Sequence, residues 1–285
     1  MITRFAPSPT GLLHLGHAYS AILAHDMARK ADGQFLLRIE DIDQTRARPA
    51  WERQIYDDLA WLGLTWDGPV WRQSDRMDSY HRVIDDLWQR GHLYICTCTR
   101  RDIQDALNAP QEGAAIGPDG LIYPGTCKPQ RRLRREYLEQ SEMGVPARDA
   151  VLRFDLATLT DDVFEFENNG LRVDVSRDDL VRRVGDFVIG RKDSGTSYHL
   201  SVVLDDAAQG VTDVVRGADL AEATQIHVAL QRLLGLPTPI YHHHRLIRDE
   251  AGKRLAKRHD AKAISKFRTD GATPADIRQM VDLAP

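Results

Sequence analysis

Residues 1–17 read MITRFAPSPTGLLHLGH, and the way this stretch breaks decides the fold. Ile2 and Phe5 give it an apolar start, which predicts a short buried strand. Pro7, Pro9 and Gly11 then interrupt regular structure. From His14 a helical pattern opens and carries through Ile22, Leu23 and Met27. A strand, a tight turn and a helix N-terminus present backbone N–H groups and the positive helix end to an anion, phosphate above all. His14 and His17, three apart, read onto one face of that helix. Gly16 between them lets a nucleotide approach the backbone. From these residues alone a second reading stays open, in which two histidines cap an ordinary helix.

Working outward, Gln34 to Glu40 (QFLLRIE) predicts a second buried strand, with Gly33 ending the helix. Strand, helix and strand at this spacing make a βαβ unit, and the expected fold class is α/β, a doubly wound Rossmann-type parallel sheet. Such sheets bind ligands at the carboxyl ends of their strands, so Arg4–Pro7 and Arg38–Asp43 are expected to face one crevice. Pro49 starts a helix with Ile55, Leu59 and Leu62 on its apolar face, ended by Gly63. A helix over 77–90 follows, stopped by Gly91. From Leu180 the parallel sheet is expected to resume, with Val184–Ile189 as a strand and a buried helix from Tyr198. Val211–Leu220 reads as a strand ending in Arg216, then a helix N-terminus at Ala218–Leu220 that leads into a helix over 219–234. Three successive histidines, 242–244, alternate faces on a strand and cannot converge on one metal.

The segment between these halves differs in kind. It carries Tyr94–Cys98 (YICTC), a helix-like RRDIQDAL, a Gly/Pro-rich loop over Asn108–Gly120 and Tyr123-Pro-Gly-Thr-Cys127. The chain has three cysteines, all within Cys96–Cys127, and an odd, clustered set argues against a disulfide framework. Three thiolates and a fourth donor can close a tetrahedral zinc site, although C-x-C is tighter than the usual C-x₂₋₄-C. Tyr123 is the one donor near Cys127 in sequence, and three buried free cysteines remain the alternative. Arg131–Met143 reads as a helix with a basic face. Val151–Phe154, Val163–Phe166 and Leu171–Val175, with Asn-Asn-Gly between the last two, read as an antiparallel hairpin within an inserted subdomain.

With 285 residues, 42% hydrophobic and 28% charged, the composition is that of a globular protein with ample core. No apolar run approaches the roughly 20 residues of a membrane helix, and Arg4 with the prolines after it does not make a signal peptide. A cytoplasmic location and no membrane partner are expected. The formal charge of −4 excludes a globally basic nucleic-acid binder. Basic residues cluster locally at Lys128–Arg135 and Lys253–Arg268, where they could track phosphates or simply face solvent.

The HxGH of residues 14–17 resembles the HIGH motif of class I aminoacyl-tRNA synthetases, with Leu15 for the Ile. RFAPSPTG (Arg4–Gly11) narrows the likeness to the glutamate-specific branch. RIEDIDQTR (Arg38–Arg46) resembles that branch's RIEDTD-x-x-R, with Ile42 for the Thr. The run from Tyr198 to Asp219 is similar to its YHLAxVVDDxxxGVTDVIRGxD. One departure is Val202, where the discriminating synthetases carry Asn. RLAKR (Arg254–Arg258) aligns with the KMSKS loop, with Arg254 for the first Lys and Ala256 for the Ser, and keeps Lys257. CTCTR…Y-x-G-x-C looks like the zinc-binding insertion of the glutamyl-Q tRNA(Asp) synthetases, short paralogues of glutamyl-tRNA synthetase.

The resemblance implies a set of roles. His14, Gly16, His17, Arg254 and Lys257 bind ATP, with His14, His17 and Lys257 catalytic. Arg4, Ala6, Ser8, Glu40, Tyr198 and Arg216 bind L-glutamate, with Glu40 on the ammonium group and Arg4 and Arg216 on carboxylates. Cys96, Cys98, Tyr123 and Cys127 hold one structural Zn²⁺. The implied reaction activates glutamate with ATP and Mg²⁺, then passes it to queuosine in the anticodon loop of tRNA(Asp). The expected organisation is a split catalytic domain (1–94 and 181–252), a zinc-binding insertion (95–180) and a KMSKS-like loop with short C-terminal helices (253–285). No anticodon-binding domain is expected, and the chain is expected to be a monomer. Two alternatives stand beside this: a truncated enzyme charging tRNA(Glu), and a non-catalytic RNA-binding paralogue.

Overall fold

The computed structural model describes residues 1–107, 116–118, 120–130, 148–248 and 262–284. Arg254, Lys257 and the helix expected at Arg131–Met143 lie outside the described residues.

The opening strand β1 (Ile2–Phe5) pairs in parallel with β2 (Gln34–Ile39), which pairs in parallel with the short β3 (Trp71–Arg72). The helix Leu15–Lys30 crosses between β1 and β2 with Arg29 and Lys30 in its last turn, where cations favour the helix dipole. Gly33 closes the crossover because a Cβ there would lie 2.1 Å from the Met1 carbonyl oxygen. Helix Pro49–Trp61 begins on its proline and helix Met77–Gln89 buries Ile84 and Leu87, as the periodicity predicts.

On the other side, β11 (Asp213–Gly217) pairs in parallel with β12 (Ile240–His244) through the helix Thr224–Leu233. β11 also lies beside β1, where the Thr212 backbone N–H donates to the Ile2 carbonyl at 3.0 Å. The strand sequence across the molecule is therefore β3-β2-β1-β11-β12. The chain moves outward in one direction after β1 and in the other after β11, so β1/β11 is the point where the winding reverses. Ligand crevices form at such a point, beyond the carboxyl ends of the strands.

Two expectations about the middle of the chain change. Residues 188–190 do not rejoin the parallel sheet. They form β10 (Val188–Gly190), antiparallel to β7 (Val151–Phe154), which pairs with β4 (Leu93–Cys96) in a separate three-stranded sheet. The hairpin of β8 (Val163–Asn168) and β9 (Leu171–Ser176) forms as expected, with Asn169 and Gly170 at positive φ in its turn. It docks on the edge of the parallel sheet, however, where Asn168 pairs with Tyr241 of β12. A small ribbon, β5 (Ile116–Gly117) with β6 (Gly120–Leu121), completes the strands of the described residues. The helix expected from 219 starts later, at Thr224, after a 3₁₀ turn over Ala218–Leu220.

One core cluster joins Phe5, Ile22, Leu37 and Leu59 to Ile264 and Ile277 of the C-terminal helices Ile264–Thr269 and Pro274–Met280. Ile264 and Ile277 are fully buried, and each such side chain contributes about 1.5–3 kcal/mol to holding those helices down. The second cluster joins Leu87 and Phe154 to Leu200, Val214, Ile226 and Tyr241, continuous from the antiparallel sheet to the parallel one. Among the described residues no helix is long and apolar enough to cross a membrane.

Candidate active site

A cavity of about 550 Å³ opens at the reversal between β1 and β11. Arg4, Ala6, Ser8, His14, Gly16, His17, Glu40, Tyr198 and Arg216 all line it. These are all the expected glutamate- and ATP-binding residues that lie among the described ones, brought together from distant parts of the chain.

The histidines sit differently from the simple expectation. His14 is the N-cap of its helix, not a residue on its face. Its Nδ1 accepts from the Gly16 backbone N–H at 3.1 Å, and His17 Nδ1 accepts from the His14 backbone N–H at 3.1 Å. The two rings form a reciprocal capping box, their centroids 3.8 Å apart. Capping and ligand binding are thus not alternatives here. A backbone N–H can only donate, so each Nδ1 is the acceptor and each Nε2 carries the proton. The Gly16 and His14 backbone amides expected to be open to an anion are thus taken by the two rings. Gly16 suits this arrangement: a Cβ there would lie 3.0 Å from His14 Cε1 and 3.1 Å from Nδ1, so the ring would have to give by a few tenths of an ångström.

The charged side chains fall into two kinds. Arg4 is buried and bound side-on by Asp206, Nε to Oδ1 at 3.0 Å and Nη2 to Oδ2 at 3.3 Å. Asp206 also receives Arg38 at 2.8 Å, and Arg38 donates to Glu40 at 3.3 Å. Arg4, Arg38, Asp206 and Glu40 therefore balance two charges against two. Burial alone would raise the Asp206 carboxyl, but Arg4 and Arg38 outweigh it and hold it below the ordinary range. Glu40 is pushed upward, by burial first, with Arg38 and Arg4 opposing. Behind them Asp205 takes Arg76 at 2.6 Å and the Tyr80 hydroxyl at 2.8 Å.

Arg216 is the other kind. It is buried, and all its partners are neutral: His243 Nε2 from Nε at 3.1 Å, His227 Nδ1 from Nη1 at 3.1 Å, and the Leu220 carbonyl and Thr224 hydroxyl from Nη2 at 3.2 and 2.7 Å. Four of its five N–H groups are thereby engaged, which leaves one Nη1–H for a ligand and rules out a bidentate fork. Tyr198 borders the same cavity, its ring 5.6 Å from that of His227. Val202 does not line the cavity; it packs in the core.

His227, His243, Thr224 and Asp206 escape the sequence reading, as does His244, which lines the cavity with its Nε2 2.6 Å from Ser20 Oγ. The three histidines do part company, His242 turning to Asp213 at 2.8 Å. In the loop after β2, Asp41 accepts from Ser74 and Asp43 pairs with Arg46.

The segment carrying Arg254 and Lys257 is bracketed by the site. Leu246 and Ile247 line the cavity, and on the far side Ala263 forms an antiparallel bridge with His14 while Ile264 N–H donates to the Leu13 carbonyl at 2.9 Å.

The cysteine cluster forms a second centre. The sulfurs of Cys96, Cys98 and Cys127 lie within 4.8 Å of one another, with Cys98 and Cys127 at 3.5 Å. Tyr123 Oη lies 3.6 Å from Cys96 Sγ and 3.5 Å from Cys98 Sγ, and accepts from the Cys127 backbone N–H at 2.8 Å. A tetrahedral ion with ligands at about 2.0–2.3 Å needs edges of about 3.5–3.8 Å, and the Cys98–Cys127, Tyr123–Cys96 and Tyr123–Cys98 edges have this length, so the cluster could hold a metal ion. Burial opposes ionisation of Cys127, yet hydrogen bonds from Tyr123 and Thr97 prevail and bring its thiol to about 6. Arg153 stacks over the Tyr123 ring at 3.7 Å. Lys128, first of the basic run at 128–135, is taken up by Asp155 at 2.7 Å and Asp186 at 3.1 Å, tying the cluster to the antiparallel sheet rather than facing a phosphate.

Comparison with known proteins agrees with this geometry. The family model for the catalytic domain of class I tRNA synthetases (E and Q) matches residues 1–284. The glutamyl-Q tRNA(Asp) synthetase of Rhodobacter capsulatus is 61% identical over 285 residues, covering 99% of this chain and all of that protein. The protein of the same name from Nitratidesulfovibrio vulgaris is 42% identical, covering 96% of this chain and 83% of its own. Among solved structures, a glutamate tRNA ligase from Elizabethkingia meningosepticum in complex with its amino acid superimposes with a TM-score of 0.76 at 25% identity. This chain is covered over 98% of its length there and spans 60% of that longer one.

Proposed function

Because the chain belongs to the class I tRNA synthetase catalytic-domain family (E and Q), and within it to the glutamyl-Q tRNA(Asp) synthetases, we propose that its cavity activates L-glutamate with ATP and passes it to queuosine in tRNA(Asp). The observation that carries the reading is the convergence of nine motif residues on one cavity at the sheet's reversal point.

In the first step an oxygen of the glutamate α-carboxylate attacks the α-phosphorus of ATP. A P–O bond forms to give glutamyl-adenylate, the bond to the β-phosphate oxygen breaks, and pyrophosphate leaves. Such a step is accelerated by positioning and by fixed charge. His14 and His17 offer Nε2–H donors to the phosphates at the helix start. Glu40 takes the ammonium group, Arg4 and Arg216 take the carboxylates, and Ala6, Ser8 and Tyr198 complete the amino-acid pocket. Mg²⁺ arriving with ATP shares the charge of the phosphates. Lys257, as a point charge, steadies the pyrophosphate; the anchoring of both ends of its segment at the cavity supports this role. Arg254 adds a second cation, and Ala256 offers no hydroxyl.

In the second step a hydroxyl of the queuosine cyclopentenediol attacks the activated carbonyl. An ester forms and AMP leaves. The acceptor sits in an anticodon loop, where unstacked bases are accessible to a protein pocket. The four donors Cys96, Cys98, Tyr123 and Cys127 suit a structural Zn²⁺, since a closed donor set leaves no open position for catalysis. The division into a split catalytic domain (1–94 and 181–252), a metal-bearing insertion (95–180) and a loop with C-terminal helices (253–285) belongs to the same proposal. So do a monomeric state and a cytoplasmic location.

Glutamate-dependent exchange between ATP and pyrophosphate tests the first step. Wild-type protein is expected to support it without RNA, and Lys257→Ala to lower it by about tenfold or more, the loss of one charged contact at a transition state. Exchange left intact by that substitution would remove Lys257 from the mechanism.

A further inference from the structure

Arg216 is a buried cation whose hydrogen-bond partners are all neutral. Two are imidazoles, and their tautomers are fixed by what they accept. His243 accepts at Nε2, so its Nδ1–H donates to Asn168 Oδ1 at 2.7 Å. His227 accepts at Nδ1, so its Nε2–H donates to His199 Nδ1 at 3.0 Å. Among the described residues no carboxylate forms an ion pair with Arg216, whereas Arg4 and Arg38 are balanced by Asp206 and Glu40. The other ionisable groups facing the cavity are Arg4, Glu40, Tyr198 and Asp219, with His14, His17 and His244. Burial, then the guanidinium beside them, holds both rings neutral, His227 well below its ordinary range and His243 at about 4.

We infer that His227 and His243 are positioning residues that set specificity: they fix Arg216 by accepting its N–H groups without cancelling its charge, so that the site selects a side-chain carboxylate. This rests on the reading of the cavity as a glutamate site. An amino-acid zwitterion brings one charge of each sign, which Arg4 with Asp206 and Glu40 with Arg38 meet in balance. Arg216, which no carboxylate pairs among the described residues, then presents a local positive charge to the one further negative charge that glutamate carries and glutamine lacks. An aspartate or glutamate in place of either imidazole would hold Arg216 equally well and cancel its charge.

The test uses pairs of substitutions that differ only in charge. Asparagine Oδ1 and aspartate Oδ1 both fall where His227 Nδ1 is, so His227→Asn keeps the acceptor and His227→Asp adds a charge. ATP–pyrophosphate exchange is measured with glutamate and with glutamine, and KM for ATP is the internal control. His227→Asn should keep KM for glutamate within about threefold, and His227→Asp should raise it by about tenfold or more while KM for ATP stays within about twofold. The preference for glutamate over glutamine should narrow in the aspartate variant alone. His243→Gln and His243→Glu repeat the comparison at Nε2, and serve should His227→Asp fail to fold. Asn and Asp variants that behave alike, or an aspartate variant that lowers kcat with the glutamate preference unchanged, would overturn the inference. Wild-type protein that shows no glutamate-dependent exchange would instead overturn the glutamate site itself, and the inference with it.

Discussion

At Gly16 a side chain would press on the ring that caps its own helix, so glycine suits the position. Alanine there has two opposed effects. It favours the helix by up to about 1 kcal/mol over glycine. Its Cβ, at 3.0 Å from His14, also forces that ring outward by a few tenths of an ångström. Gly16→Ala is therefore expected to leave the thermal unfolding midpoint within about 4 °C of wild type. Exchange activity should fall by about tenfold, because a small displacement of a positioning group is costly in rate. A melt and an exchange assay on the same preparation check this; full activity would show that the His14 cap is not part of the chemistry. The sequence discloses that these residues matter, since H-x-G-H after a broken strand is a local pattern. It does not disclose His227, His243 or Asp206, because a neutral partner for a buried arginine is defined by a contact across the fold. Arg38 is a partial case: its place at the strand end is legible, but the carboxylates that bury it lie more than 160 residues away.

Elements follow the same division. β1, the helix after it and β2 were legible from periodicity and from Gly33, because each is specified within about a dozen residues. The destination of the β8–β9 hairpin was not. Its Asn169-Gly170 turn is local chemistry, but its docking on Tyr241 of β12 is a single register contact made after the chain has gone round the fold. β10 was misplaced for a related reason: a three-residue apolar strand carries no mark of parallel or antiparallel pairing. The cysteine element joins the two kinds of information, since its spacing suggests a metal and the fold brings the three sulfurs together, with the Tyr123 hydroxyl 3.5–3.6 Å from two of them. Protein purified without added metal is expected to carry about one equivalent of zinc per chain, as closed thiolate sites bind it tightly. Cys127→Ser should lose the ion and destabilise the packing around Tyr94 and Tyr123. Zinc well under one equivalent in wild type would contradict the ligand set.

At the scale of the whole molecule, a parallel sheet whose winding reverses at β1/β11 provides the crevice, and the two core clusters hold its walls in place. The chain matches the Rhodobacter capsulatus protein along its entire length but spans only 60% of the Elizabethkingia ligase. The acceptor is what separates the two branches. The most direct measurement is transfer of labelled glutamate to tRNA(Asp) prepared with queuosine and with guanosine at the same anticodon position, with tRNA(Glu) in parallel. Label on the queuosine form alone is the predicted result. Label on tRNA(Glu), or on the guanosine form equally, would contradict it.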